Sequence, residues 1–146
     1  MKFMTLLFYS LLSVISYLLS EGGMVMAHDS ILLEKSLNFA ARIMKLHKYL
    51  IKDKKEHIIS KQIIRSATSI GANANEAIYG ASKADFVAKM HISLKETAET
   101  EYWLRLLILS ENITEKEGES LLNDCLEIKR ILISTLNTAK NNLDCH

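Results

Sequence analysis

The pattern of apolar positions predicts four long helices. From Leu32 onward, apolar residues recur at spacings of three and four, which is the period of an α-helix packed on one side. The chain contains no proline and is rich in residues of high helix propensity. Charged or glycine-containing breaks near residues 52–55, 80–82 and 111–114 separate the helical segments. We therefore predict an all-α fold, an antiparallel up-down-up-down four-helix bundle.

The first predicted helix carries two apolar rows instead of one. Asp29 or Ser30 can cap its start, and the periodic pattern runs to about Ile51. Both rows follow the 3–4 spacing, so the apolar arc is wide enough for two neighbours within the bundle, or for the core and a second subunit. We take residues of the second row as candidates for an oligomer interface. The first row is Leu33, Leu37, Ala40, Met44 and Ile51, and the second, with interface candidates Phe39, Ile43 and Leu46, also includes Leu32 and Leu50.

The second helix follows the charged turn at 52–55 and runs to about Tyr79. Its core row is predicted to be Ile59, Ile63, Ala67, Ile70, Ala74 and Ala77. A polar row, about a third of a turn away, consists of Gln62, Arg65, Ser69, Asn73 and Glu76. Five polar groups on one line can form a hydrogen-bonded ladder or a solvated face, and the sequence leaves both open.

The third helix places a carboxylate inside its apolar row. Gly80 is predicted to end the second helix in a left-handed conformation, and Ser82 to Asp85 resembles a capping box. Because an unpaired buried charge is costly, Glu101 needs a partner, and we predict Arg65. If that pair is buried, losing either member costs about 3–5 kcal/mol. The core row of this helix, which runs to about Ser110, is predicted to be Phe86, Met90, Leu94, Ala98, Leu104 and Ile108.

A second row of the third helix mixes apolar bulk with carboxylates: Ile92, Glu96, Glu99, Trp103 and Leu106. An exposed tryptophan beside such a row suits a subunit interface, and it also suits the edge of a bundle. We name Ile92, Trp103 and Leu106 as interface candidates.

The last helix begins at the capping box Thr114 to Glu117. Cys125 lies in its apolar row and is predicted to be a small core residue. Cys125 and Cys145 fit no metal or redox spacing, so free thiols in a reducing cytoplasm are expected. The predicted core row is Leu121, Cys125, Ile128, Leu132, Leu136 and Ala139.

The first twenty-five residues differ from the rest. Lys2 precedes an apolar run over residues 3–19, which suits a signal peptide or a membrane anchor, although an Ala-x-Ala cleavage pattern is missing. It can also be a real extra helix, or an over-long start assignment with synthesis beginning at Met26. We divide the chain at 1–25 and 26–146, and expect a cytoplasmic protein unless residues 1–25 are a genuine signal or anchor.

A set of positions gives the chain a family resemblance. The order Arg65, Ser69, Asn73, Glu76 followed by Asp85-Phe86 and then by Glu99, Glu101, Tyr102 and Leu104 resembles the 23S ribosomal RNA intervening-sequence proteins. The resemblance covers about residues 33–140. The family often has Ile after the asparagine and Gly after the glutamate, where this chain has Ala74 and Ala77.

The resemblance implies a four-helix bundle that assembles into a homopentameric ring. The chain is also similar to the accessory proteins of diversity-generating retroelements, which implies a pentameric barrel that binds a reverse transcriptase and nucleic acid. The family itself has no established molecular function. Its signature residues read as a structural polar network of Arg65, Ser69, Asn73, Glu76 and Glu101.

Two non-enzymatic functions follow from these features. The first is an oligomeric interaction or scaffold protein whose main partner is itself. The second is a ring that binds RNA, DNA or a nucleic-acid-handling protein, although the net charge of +1 gives no global signal. Its candidate contacts are Lys45, Lys48, Lys52, Lys54, Lys55 and Lys61. Acidic residues at 111–119 share that bundle end and can neutralise these lysines within or between subunits.

An enzyme is not expected. The chain has no Glu-x-x-His pair of the kind that builds di-metal sites in helix bundles, no glycine-rich phosphate loop and no serine elbow. Its five histidines show no ligand spacing. We therefore predict no catalytic residue, no metal site, no cofactor and no small-molecule substrate.

Overall fold

The described part of the chain forms four helices. The computed structural model describes residues 21–141, and side-chain environments from residue 31. The helices are α1 (Glu21–Lys52), α2 (Ile59–Ile78), α3 (Lys83–Leu109) and α4 (Glu115–Asn141), and the described residues contain no strand. The predicted all-α, four-helix class is confirmed. None of the described helices is long and apolar enough to cross a membrane.

The helices form a closed square in chain order. α1 packs on α2, α2 on α3, α3 on α4, and α4 on α1, whereas the two diagonal pairs do not pack on each other within the described residues. Contacts run in opposite order along neighbouring helices. In α2 and α3, Ser66 lies beside Thr100, and Ile70 beside Ser93. These neighbours are therefore antiparallel.

α1 begins earlier than predicted. The helix starts at Glu21 and passes through Asp29 and Ser30 without a break, so neither residue is a helix start. The helix also crosses the division made after residue 25. The interpretations of residues 1–25 as a signal, an anchor, an extra helix or an over-long start assignment depend on residues 1–20, which lie outside the described residues.

The turn before α2 is closed by a carboxylate. Glu56 accepts hydrogen bonds from the backbone amides of Ile58, Ile59 and Ser60 at 2.7–2.9 Å. Partial burial raises the pKa of Glu56, but the hydrogen bonds from these amides outweigh it and leave the pKa below its ordinary value. The free N–H groups of the first turn attract this negative charge.

The turn before α3 departs from the prediction at Gly80. No described glycine has a positive φ, so the predicted left-handed cap is wrong. A Cβ at Gly80 would lie 3.0 Å from the Ala77 carbonyl oxygen and 3.1 Å from Asp85 Oδ2. The position has too little space for a Cβ, which explains why it is a glycine. The capping position itself is confirmed, because Ser82 Oγ accepts from the Asp85 amide at 3.1 Å.

The capping box before α4 is confirmed in both directions. The Glu117 amide donates to Thr114 Oγ1, and the Thr114 amide donates to Glu117 Oε2, each at 3.3 Å. This reciprocal pair satisfies two donors that the helix start would otherwise leave free. The sequence pattern alone located this helix start.

The core follows the predicted rows in α2 and α4 but not in α3. From Ile63 to Ala77 the predicted α2 row is buried, and Cys125 is buried in α4 as expected. In α3, Ala98 is exposed, and hydroxyl residues occupy the centre of the buried face. The buried residues of α3 are Met90, Ser93, Thr97, Thr100, Leu104 and Leu107.

Candidate interaction surfaces

The α2–α3 seam contains the first of two polar clusters. Arg65 Nη1 lies 3.5 Å from Glu96 Oε2, and Arg65 also pairs with Glu99. Trp103 Nε1 donates to Glu99 Oε1 at 3.1 Å. The Glu99 carboxylate therefore accepts hydrogen bonds from Arg65 of α2 and from Trp103 of α3. The hydrogen bond from Arg65 lowers the pKa of Glu99, and the bond from Trp103 adds to this.

The predicted ion pair between Arg65 and Glu101 is wrong. Glu101 lies on the other flank of α3, where its carboxylate pairs with Lys129 Nζ and Arg105 Nη2, each at 2.8 Å. Glu101 and Glu99 stand two residues apart, and that spacing turns their side chains to different flanks of a helix. Each glutamate therefore meets a different neighbour.

The glutamates of the two clusters differ in exposure. The Glu101 side chain is 15% exposed, and hydrogen bonds from Lys129 and then Arg105 lower the pKa of its carboxyl. The Glu99 side chain is 32% exposed, whereas the two arginines are similar, at 52% for Arg65 and 55% for Arg105. Water therefore screens the Glu99 carboxylate more than the Glu101 carboxylate.

The predicted polar network does not form one ladder. Asn73 Nδ2 donates to the Ser69 carbonyl oxygen at 2.8 Å, within α2 itself. Glu76 pairs across the seam with Lys89 of α3. Gln62, in the same row, is exposed. In this row, Arg65 and Glu76 therefore make separate contacts with α3, whereas the bond of Asn73 stays within α2.

Buried hydroxyl groups at the α2–α3 seam escaped the sequence analysis. Ser93 Oγ donates to the Ile70 carbonyl oxygen at 2.8 Å, and Thr100 Oγ1 lies 2.8 Å from Ser66 Oγ. Thr97 bonds to the Ser93 carbonyl within α3. Because hydroxyl residues count as polar, the hydrophobic pattern placed them outside the core. Their spacing of three and four residues, which continues to Leu104, is the signal that could have identified them as buried.

Three of the interface candidates are buried in the chain's own core. Phe39, Ile43 and Leu46 are at most 9% exposed, so they are not available to a second subunit. Their assignment as interface residues is wrong. The other apolar row of α1 has the exposed members: Leu37 is 72% exposed and Met44 is 49% exposed, whereas Leu33 packs partly against the core.

The candidates on α3 remain accessible. Ile92 is exposed, and Trp103 and Leu106 are half-buried. The ring of Trp103 meets that of Tyr102 edge to face, with centroids 5.0 Å apart. Trp103 therefore lies against its neighbours and still presents part of its ring to solvent.

The lysine candidates lie at one end of the bundle. All six side chains are exposed. In the described part of the chain, none is within 4.0 Å of a carboxylate. They are Lys45, Lys48, Lys52, Lys54, Lys55 and Lys61.

Basic and acidic residues meet around a groove at this end. The groove has a volume of about 380 Å³, and Tyr49 and Lys54 line it together with Glu111 and Glu115. Hydrogen bonds to Thr114 lower the pKa of Glu117, and the charge of Lys54 contributes less. The α1–α2 turn and the α3–α4 turn therefore share one end, as predicted.

The described residues contain no arrangement of metal ligands. No group of three or more His, Cys, Asp or Glu side chains among them is placed to hold an ion. Cys125 is a free, buried thiol, and burial followed by the charge of Glu101 raises its pKa to about 12. A thiol in this state is not a nucleophile near neutral pH.

Comparisons with known proteins agree with this description. A solved structure of a protein of unknown function from the S23 ribosomal protein family of Bacteroides thetaiotaomicron is 52% identical, with a TM-score of 0.74. The similarity covers 75% of this chain and 98% of that one. No curated protein matches the chain. The sequence model of the 23S rRNA-intervening sequence proteins matches residues 28–134, and the chain belongs to this family.

Proposed function

We propose that the protein is a non-enzymatic scaffold that assembles with copies of itself. The observation that carries this proposal is the first apolar row of α1, where Leu37 and Met44 stay exposed after the core is complete. Each such side chain gains about 25 cal/mol per Å² of apolar surface on leaving water. Ile92 and the exposed part of Trp103 add apolar surface on α3.

The pentameric ring is the size that the family resemblance implies, and it is part of the proposal. The test is the mass of the full chain in solution, measured by light scattering at two salt concentrations. A mass five times that of one chain supports the ring, and another stable multiple supports self-assembly with a different size. A monomer at every concentration overturns the proposal. A second sample that begins at Met26 shows whether residues 1–25 affect the result.

We also propose a cytoplasmic location, in keeping with Cys125 as a free thiol. Cell fractionation with an antibody against the folded region tests this. Recovery of the protein in the periplasm, or in washed membranes, contradicts it.

Nucleic-acid binding is the second candidate function. It is favoured by the exposure of the six lysines and by their freedom from ion pairs within the described residues. Phosphate contacts release counterions, so binding must weaken steeply as salt rises.

An RNA gel shift at several salt concentrations tests this candidate. Replacing Lys48 and Lys52 with glutamine weakens binding. It also lowers the slope of the logarithm of the binding constant against the logarithm of salt concentration, by about one for each phosphate group that is no longer neutralised. Replacing Lys83 and Lys140, which are also exposed, gives the matched control. Binding that the two double variants weaken equally contradicts a site at residues 45–61.

A further inference from the structure

The square arrangement gives the bundle two opposite sides. Since α1 packs on α2 and α3 on α4, the α1/α2 pair and the α3/α4 pair face away from each other. Exposed apolar side chains occur on both. Their charged borders have opposite signs at the end that contains the α1–α2 and α3–α4 turns.

The side built by α1 and α2 is apolar with a basic border. Met44 stands one turn before His47, whose Nδ1 lies 3.0 Å from the Ser60 carbonyl oxygen of α2, so Met44 is near the α1–α2 groove. Leu37 lies two helical turns before Met44 in the chain, on the same face of α1. The basic side, as we call it, consists of Leu37, Met44, Lys48, Lys52 and Lys61.

The side built by α3 and α4 is apolar with an acidic border. Ile133 stands one turn after Lys129, which pairs with Glu101 of α3, so Ile133 is near the α3–α4 groove. Tyr102 is 60% exposed and Leu109 is 81% exposed, two turns apart on one line of α3. The acidic side, as we call it, consists of Tyr102, Leu109, Ile133, Glu111, Glu115 and Glu119.

These charges are not paired within the chain. Among the described residues, none of the three lysines or three glutamates has an opposite charge within 4.0 Å. All six are exposed. At this end of the bundle, the border of the basic side is therefore positively charged and the border of the acidic side is negatively charged.

We propose that the basic side of one copy packs against the acidic side of the next copy. This inference rests on the proposed self-assembly and names the surfaces that carry it. A basic side against its own copy would bring like charges together, which opposes association, whereas opposite borders attract. Both borders lie at the same bundle end, so neighbouring copies point the same way. A contact between two different surfaces is heterologous, and it generates a ring when the rotation closes.

Charge reversal tests the seam with the full chain. Lys48→Glu with Lys61→Glu makes both sides acidic, and Glu115→Lys with Glu119→Lys makes both sides basic. Each double variant is expected to raise the dissociation constant for self-association at least about tenfold. Circular dichroism verifies folding, which these exposed positions should leave intact. The matched control for the lysine variant is Lys83→Glu with Lys140→Glu, which makes the same change of charge at other exposed positions.

Two rescue experiments separate a specific seam from a general charge effect. Mixing the two double variants restores association between unlike variants, because the reversed side of each now meets a complementary side of the other. Two variants cannot alternate around a ring of five, so the experiment measures association of unlike copies and not closure of the ring. The chain with all four substitutions also assembles again, since both signs are exchanged. Dissociation constants within about threefold of the wild-type value are expected for this chain, a difference below about 1 kcal/mol.

Several outcomes overturn the inference in distinguishable ways. If the wild-type chain is a monomer, the proposed self-assembly fails and the seam fails with it. If the wild-type chain assembles and the double variants assemble equally well, only the seam is wrong. A weakening that the control variant shares, or that mixing does not restore, also overturns the seam. Assembly that requires added RNA replaces this direct contact with a nucleic-acid bridge.

Discussion

The α2–α3 seam and the α3–α4 seam both place a glutamate of α3 beside basic side chains, but their surroundings differ. At the first seam, the pair of Glu99 with Arg65 lies at the surface, while hydroxyl groups fill the interior. At the second seam, Glu101 is mostly covered and has two basic partners. Gly118 brings α4 close to Ile108 there. The comparison teaches that the same residue type has a different energetic role depending on how much water reaches it.

The largest expected effect is on the reactivity of Cys125, at the α3–α4 seam. Its Sγ lies 3.5 Å from the Thr97 carbonyl oxygen, and its pKa of about 12 is well above the ordinary 9.0. The thiolate fraction is therefore about a thousandfold smaller than for an exposed thiol. In a Cys145→Ser background, thiol labelling of the folded chain should be slower than that of the unfolded chain by at least this factor. Equal rates would show that the seam opens readily.

The close approach at Gly118 predicts a lower stability on substitution. A Cβ there would lie well inside van der Waals contact with the Ile108 side chain. Gly118→Ala should lower the free energy of unfolding by about 1–3 kcal/mol, measured by urea denaturation. Gly71→Ala is the matched control, because its Cβ would meet Ser36 Oγ at 3.0 Å, a milder contact. Combining Gly118→Ala with Ile108→Ala, which removes both clashing carbons, should cost less than the sum of the two single substitutions, and strictly additive costs would contradict the steric cause.

The two ion-pair clusters should respond unequally to the removal of one member. Glu101→Gln removes a carboxylate that is only 15% exposed and has two basic partners, and should cost about 1–2 kcal/mol. Arg65→Met removes a half-exposed charge and should cost less than about 1 kcal/mol. Both values come from denaturation curves at neutral pH. Equal costs would show that exposure does not decide the strength of these pairs.

The smallest effect is expected in the pH dependence of stability. The pKa of Glu101 is lowered in the folded chain, so its contribution is fully present above the unfolded pKa, near 4.5, and is lost as pH falls through the folded value. Glu101→Gln should therefore flatten the stability curve below about pH 4.5, whereas the curve near pH 7 keeps its slope. A variant as acid-sensitive as the wild type would show that other carboxyl groups control this range.

The sequence predicted the fold well, but only part of the candidate surface. The 3–4 spacing located the buried faces of α2 and α4, and the capping residues Ser82 and Thr114 located two helix starts. The assignment of Phe39 to an interface was wrong, because two apolar rows of equal periodicity lie on α1. Likewise, the partner of Glu101 could not be identified, since spacing within one helix carries no information on which neighbour faces it.

By itself, the sequence determined the number of helices in residues 21–141, their class and most of their boundaries, because these depend on residues within a few positions of each other. Only the tertiary structure decided which apolar row of α1 fills the core and which row leaves Leu37 and Met44 exposed. It also decided that Glu99 meets Arg65 while Glu101 meets Lys129. These choices depend on the rotation of each helix about its own axis, and the packing of all four helices sets that rotation at once.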